Sequence, residues 1–182
     1  MTTWQSSTVA AAFLMCFTSL AGEASAQGND NLDSNSIPSL AVQSAVAALK
    51  DPTTYAPASM LYVSSRLDWN SSQAFFQHGD VEENPRYTVT GLPHDTPLSY
   101  SAGNKQLLVD ALSVASVSFA NNAIAHFTVD ALASRNPEHR KLWKTIGWIE
   151  RTAVASSLSY MLSVRHFQQW QQNERMAVQR GY

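Results

Sequence analysis

The stretch LDWNSSQAFFQHGDVEENP, residues 67–85, holds the densest group of side chains in this chain that could do chemistry. Asp68 and two serines are followed by a histidine and three acids within nineteen positions. Carboxylate and imidazole groups are suitable ligands for calcium, manganese or zinc. One hypothesis is therefore a metal site, although no H-E-x-x-H motif or EF-hand loop accompanies it. Its candidate ligands are His78, Asp80, Glu83 and, from a distant segment, His126.

A second hypothesis gives the same stretch a structural role. Asp68 could bond a serine hydroxyl one helical turn later, or pair with a basic group on another helix such as Arg151. Gly79 would end the helix in a left-handed turn, and the acids after it could accept backbone N–H groups. The predicted polar framework consists of Asp68, Ser72, Glu82, Glu83, Asn122, His126 and Arg151.

The sequence predicts no catalytic residue and no cofactor. A serine nucleophile is disfavoured because Ser71 and Ser72 lie inside a predicted helix and no G-x-S-x-G elbow occurs. The formal net charge of −2 provides no basic field for a nucleic acid. Whether the chain is an enzyme is left open, with a non-enzymatic role favoured.

The first residues have the pattern of a secretory signal peptide. An apolar run from Val9 to Leu20 precedes Ala24-Ser25-Ala26, which predicts cleavage after Ala26. The single cysteine, Cys16, lies in this segment, so the mature chain would have no disulfide and no thiolate ligand. We predict a signal peptide over 1–26, a disordered linker over 27–37, a helical domain over 38–170 and a flexible tail over 171–182.

Apolar residues of the mature chain recur at helical intervals, and no run of alternating residues predicts a strand. The predicted fold is all-α, a small bundle of three long helices with one short helix in front. The short helix covers 38–50, and the long ones cover 58–78, 105–133 and about 138–167. Met60, Val63, Leu67 and Ala74 form the predicted buried stripe of the first long helix.

Two of these helices are candidates for crossing a membrane. Residues 107–132 have the required length of roughly 20 residues, and 146–164 are near the lower limit. Both carry charged or polar groups that must be shielded by a partner helix. Small residues at helical spacing would permit close packing. These are Ala111, Ala115, Ser118, Asn122 and His126 on one helix, and Ala153, Ser156, Ser157 and Tyr160 on the other.

The charge distribution predicts a topology for such a hairpin. Residues 51–134 carry three basic and eight acidic residues, whereas 135–182 carry eight basic and three acidic ones. The turn between the two apolar helices is basic, so the positive-inside rule places it in the cytoplasm. The acidic loop at 80–104 would then lie outside, and the helix at 58–78 should not cross.

The spacing of polar residues in the opening stretch resembles a family of small exported or membrane proteins without assigned function, common in acidobacteria. Its pattern is D-x-x-S/T-S/T followed by G-x-x-E-x-N-P, which corresponds here to Asp68-x-x-Ser71-Ser72 and to Gly79 through Pro85. Glu82 matches the acid of the pattern literally, and Glu83 is displaced by one. The resemblance implies a helical, membrane-associated protein and no particular reaction.

We therefore expect an exported helical protein of the cell envelope that is membrane-associated and non-enzymatic, with a structural or interaction role. The expected location is the inner membrane with a periplasmic N-terminal half, or alternatively the periplasm. Two other functions are retained: a divalent-metal-dependent envelope enzyme, and a soluble periplasmic bundle that binds an apolar ligand. The membrane is the expected partner, and the sequence identifies no protein partner.

Overall fold

In the computed structural model, residues 36–182 are described, and they form four α-helices. These are α1 (Ser36–Lys50), α2 (Ala56–Gln77), α3 (Tyr100–Arg135) and α4 (Arg140–Arg180). The described residues also form three short 3-10 helices. Pro52–Thr54 precedes α2, Pro85–Tyr87 lies within the α2–α3 loop, and Pro137–His139 precedes α4. The all-α prediction is confirmed. The predicted signal peptide and nearly all of the predicted linker lie outside the described residues.

Local sequence explains where these helices begin and end. The Asp51 side chain accepts a hydrogen bond from the Thr53 N–H and caps the first 3-10 helix, which Pro52 begins. Ser99 caps α3 by accepting from the Ala102 N–H at 3.3 Å. Gly79, just after α2, has a φ of +90°, a conformation that glycine adopts without strain. The predicted glycine stop of this helix is therefore where the chain turns.

Helices α2, α3 and α4 pack against one another, with the most extensive contact between α2 and α4. The bundle has a small core, mostly aromatic, of Trp69, Tyr87 and Leu107. The Trp69 ring lies 5.6 Å from the Tyr87 ring and covers Gly103, where an added Cβ would come within 2.2 Å of the indole. Glycine at position 103 therefore permits the close approach of α3 to α2.

The buried face of α2 differs from the prediction. Met60 and Val63 are exposed, and the buried positions include Ser64, Ser65 and Trp69. The prediction was wrong for these two residues, while Leu67 and Ala74 of the same stripe are half-buried. Two serines occupy part of the tight contact with the neighbouring helices, where larger aliphatic side chains would not fit.

The end of the chain is also more ordered than the predicted flexible tail. Helix α4 continues to Arg180 and ends at Gly181, which has a φ of +75°. The Tyr182 ring stacks on His78 with centroids 3.9 Å apart, and Arg180 donates to Asp80 at 2.8 Å. These contacts tie the last turn of α4 to the end of α2 and the loop after it.

The loop at 80–99 is partly packed. Two isolated antiparallel bridges, Glu82 with Asp95 and Thr88 with Pro97, hold its two arms together. Tyr87 inserts into the aromatic core, and its hydroxyl donates to Asp110 of α3 at 3.1 Å. A loop of this length is uncommon unless it packs or binds something, and this one supplies a wall of the cleft described below.

Apart from Leu107, the fully buried positions of helix α3 hold small residues or asparagine. Ala111, Ser118 and Asn122 are buried, as the predicted small-residue stripe requires, while large apolar side chains are exposed. The exposed group on α3 is Leu108, Val109, Leu112, Val117 and Ile124. On α4, however, the predicted residues Ala153, Ser156, Ser157 and Tyr160 are exposed, because Ala155 and Ser163 occupy the buried face instead.

Within the described part of the chain, α3 is the one helix that is both long and apolar enough to cross a membrane. Only 22% of its most apolar window is buried. Helix α4 is more polar, since it carries Glu150 and Arg151 in its first half.

Candidate functional site

A first cluster of polar side chains surrounds Asp51 in the turn between α1 and α2. The Asp51 Oδ2 atom accepts a 2.8 Å hydrogen bond from the Arg151 Nε and lies 3.1 Å from the His126 Nε2. Its Oδ1 atom accepts from the Thr53 N–H at 3.0 Å and from the Thr53 hydroxyl at 2.7 Å. The carboxylate therefore joins the turn to both α3 and α4.

The same turn is bonded to α3 a second time through Asn122. The Asn122 Nδ2 donates to the hydroxyl oxygens of Thr53 and Thr54, at 2.8 Å each. The Thr54 hydroxyl donates to the Ala48 carbonyl at 2.7 Å, and this bond connects the network to α1. These bonds satisfy buried polar groups that would otherwise be costly.

Gly147 provides space for Arg151. A Cβ at position 147 would lie 3.2 Å from the Arg151 Nη1 and 2.3 Å from a Val129 methyl group. The close contact of α3 and α4 near this cluster therefore depends on glycine.

A second polar cluster surrounds Asp68 on α2. The His166 Nδ1 donates to the Asp68 Oδ2 at 2.8 Å. Asn173, which is buried, donates to the hydroxyl oxygens of Ser71 at 3.1 Å and Ser72 at 2.9 Å. The two serine hydroxyls donate to the Asp68 backbone carbonyl and not to its carboxylate. This cluster fixes α4 against α2.

An open cleft of about 830 Å³ lies directly beside the second cluster. Its walls are the C-terminal half of α2, the start of the α2–α3 loop and the C-terminal half of α4. The loop wall carries acids: Asp80, Glu82 and Glu83. The α4 wall carries basic and amide groups: Arg165, His166, Gln169, Gln172, Asn173 and Arg180.

The environment of the cleft raises the pKa of two residues in its lining, Glu82 and Tyr87. Burial raises the pKa of Glu82, and the negative charges of Asp68 and Glu83 act in the same direction. The hydrogen bond from the Asn84 N–H to the Glu82 Oε1, at 2.8 Å, opposes that rise. Burial, followed by the neighbouring Asp110 carboxylate, raises the pKa of Tyr87, so its phenol stays neutral at physiological pH.

The predicted framework residues are divided between the two clusters. Asn122, His126 and Arg151 surround Asp51, whereas Asp68, Ser72, Glu82 and Glu83 line the cleft. The suggested pairing of Asp68 with Arg151 was wrong, because His166 contacts Asp68 and Asp51 contacts Arg151.

The structure does not bring together the residues of the predicted metal site. His126 bonds Asp51, Asp80 pairs with Arg180, and His78 stacks on Tyr182. Among residues 36–182, no group of three or more His, Cys, Asp or Glu side chains is arranged to hold a metal ion. The hypothesis of a metal site formed by His78, Asp80, Glu83 and His126 is therefore wrong.

Sequence reasoning missed three residues that complete the clusters: Asp51, His166 and Asn173. Asp51 precedes a proline and carried a visible capping signal, but its long-range partners carry no local pattern. His166 and Asn173 are seven positions apart and therefore share one face of α4. That spacing could have indicated a shared polar face, but the prediction placed Asn173 in a flexible tail that begins at residue 171.

The chain matches no protein-family model, no curated protein and no solved structure.

Proposed function

We propose that this chain is an exported, non-enzymatic helical protein of the cell envelope, held in the membrane by the α3–α4 hairpin. In this arrangement the loop at 80–99 and the cleft lie on the periplasmic side of the inner membrane. The basic turn between α3 and α4 lies on the cytoplasmic side. Its role is structural or depends on interactions made by the external end.

The observation that carries the proposal is the packing of α3. A core helix of a soluble bundle buries its large apolar side chains, whereas α3 fully buries only Leu107 among them. Its other buried positions hold glycine, alanine, serine and asparagine, and five of its leucine, valine and isoleucine side chains are exposed. Small residues between helices and large apolar residues outside are typical of membrane helices, because lipid solvates the large side chains.

The Asp51 cluster supports the proposal because it shields two of the ionisable side chains within the proposed spans, His126 and Arg151. A charged side chain at mid-membrane costs roughly 2.5 to 3.5 kcal/mol on the translocon scale. Arg151 is 7% exposed and is bonded to Asp51, and His126 contacts the same carboxylate. These groups face protein and not the outer surface of the hairpin, as intramembrane polar groups normally do.

Contacts of the Asp51–Thr54 turn refine the topology. Because the turn is bonded to Asn122 and His126, it lies beside the second half of the span proposed for α3. The end of α1 and the first part of α2 would therefore enter the bilayer beside the hairpin and return to the same side, without crossing. Exposed Val42, Val46 and Leu49 on α1 agree with that position. Such a turn is tolerated at membrane depth when its polar groups are bonded within the protein, as they are here.

Carbonate washing of membranes from expressing cells tests the proposal. The intact chain should remain in the pellet, whereas a soluble bundle would be released. A matched pair of variants sharpens the test: Leu112→Arg on α3 and Leu92→Arg in the loop, where the leucines are 58% and 64% exposed. Leu112→Arg should reduce the pelleted fraction and Leu92→Arg should not. Equal release of both variants would refute the proposed membrane face.

Reporter fusions test the orientation separately. A fusion after Lys141 should report cytoplasm, and a fusion near Asp95 should report the periplasm. The reverse pattern, or a periplasmic report from both fusions, would refute the proposed hairpin topology.

A further inference from the structure

The cleft beside Asp68 is lined by two buried polar atoms that have no hydrogen-bond partner in the described chain. Ser65 and Trp69 line it and are 2% and 4% exposed. The Ser65 Oγ and the Trp69 Nε1 are buried and have no hydrogen-bond partner within the described chain. Buried polar atoms without partners are uncommon in folded proteins and call for an explanation. A volume of about 830 Å³ lies within the range of clefts that hold small ligands.

The two long walls of the cleft carry opposite charge. On the loop wall, Asp80 is neutralised by Arg180 at 2.8 Å, so the charges of Glu82 and Glu83 remain for a ligand. On the α4 wall, His166 is engaged with Asp68, and the remaining charge is that of Arg165. A ligand that satisfies both walls must therefore carry a cationic group and an anionic group.

Amide side chains lie between these charges. Gln169 and Gln172 follow the α4 wall and Asn84 lies on the loop wall. Asn173 also lines the cleft, but its amide is already bonded to Ser71, Ser72 and Gln169. Primary amides both donate and accept hydrogen bonds, which is what the N–H and C=O groups of an extended peptide require. A neutral sugar would form no ion pair with either wall, and a simple amine would form none with Arg165.

From this arrangement we propose that the cleft binds a short zwitterionic peptide. Its terminal amine lies against Glu82 and Glu83, and its terminal carboxylate lies against Arg165. The inference goes beyond the proposed envelope function, because all of the cleft lining except Leu107 lies outside the proposed spans of α3 and α4. It can hold whether or not the hairpin crosses the bilayer.

The test is calorimetric titration of the purified full chain, in mild detergent, with dialanine, trialanine and tetraalanine. At least one of these peptides should bind, and the same peptide with an acetylated amine and an amidated carboxylate should bind at least about tenfold more weakly, since charge-assisted hydrogen bonds are lost at both ends. Absence of binding by all three peptides, or equal binding of the blocked peptide, would overturn the proposal. Binding of maltotriose with no binding of the peptides would identify a sugar site and would overturn it too.

Variants at exposed positions assign the two ends. Glu83→Gln and Arg165→Gln should each weaken the free peptide about tenfold while leaving the affinity of the blocked peptide unchanged. Glu174→Gln and Arg175→Gln are matched controls, because both residues are exposed on α4 and outside the cleft lining. Equal effects of the cleft and control variants would contradict the assignment. Circular dichroism of each variant verifies that the helices are intact.

Discussion

Replacing Asp51 by alanine should be among the most damaging single changes in this bundle. The Asp51 and Arg151 side chains are 12% and 9% exposed, so the change leaves a guanidinium buried without its carboxylate. Breaking a buried pair in this way costs about 3 to 5 kcal/mol. Loss of the cap on the Pro52–Thr54 helix adds about 1 kcal/mol. The free energy of unfolding should therefore fall by roughly 4 to 6 kcal/mol.

The reverse change should cost less. In Arg151→Met the Asp51 carboxylate keeps the Thr53 N–H, the Thr53 hydroxyl and His126 as partners. We expect a loss of about 1 to 3 kcal/mol, the cost of one charged hydrogen bond. The asymmetry between the two variants is the specific consequence of this geometry.

Unfolding followed by circular dichroism measures both effects. For a chain of this size, 1 kcal/mol corresponds to about 2 to 4 °C in Tm, so Asp51→Ala should lower Tm by roughly 8 to 24 °C. Glu174→Ala, at an exposed site on α4, is the control and should change little. If Asp51→Ala behaved like this control, or cost less than Arg151→Met, the cluster would not be the buried junction described.

Three further changes test other parts of the structure. Asp68→Ala should lower the free energy of unfolding by about 1 to 3 kcal/mol, because it leaves the partly buried His166 without its acceptor; an unchanged Tm would show that the pair contributes nothing. Gly103→Ala should cost roughly 1 to 3 kcal/mol by overpacking the Trp69 ring, despite the better helix propensity of alanine; a gain in stability would refute the close contact. Glu82→Gln should stabilise the protein at pH 7, because folding raises the pKa of the Glu82 carboxyl. The protonated carboxyl contributes fully to stability below the ordinary pKa of about 4.5, and that contribution is lost as pH rises through the higher pKa of the folded state. The difference from the wild type in urea unfolding should therefore disappear near pH 4, and a difference that persists there would contradict the assignment.

Periodicity was sufficient to predict the helices but not which residues they bury. The four helices follow from apolar spacing, prolines and Gly79, all of which are local signals. The buried face of α2 could not be predicted, because Ser64 and Ser65 become core residues only when another helix comes close enough to exclude larger side chains. A hydrophobic scale assigns that face to Met60 and Val63, which the structure exposes.

The polar residues illustrate the same limit. Composition singled out Asn122, His126 and Arg151 as polar groups within apolar helices, and all three contact the turn at 51–54. His126 and Arg151 share Asp51 as a partner, 75 and 100 positions away in sequence, and Asn122 bonds Thr53 and Thr54. No short motif encodes contacts at these separations. The cleft was also beyond sequence reasoning, since it requires the last turns of α4 to return beside the loop at 80–84.

Cysteine accessibility tests most directly the central claim that the large apolar side chains of α3 face lipid. In a Cys16→Ser background, Val117→Cys and Val89→Cys place thiols at positions that are 63% and 64% exposed in the isolated chain. With a membrane-impermeant maleimide on intact spheroplasts, the loop variant should react, and the α3 variant should react only after the membrane is dissolved and the protein denatured. Equal labelling of the two variants in intact spheroplasts would contradict the account.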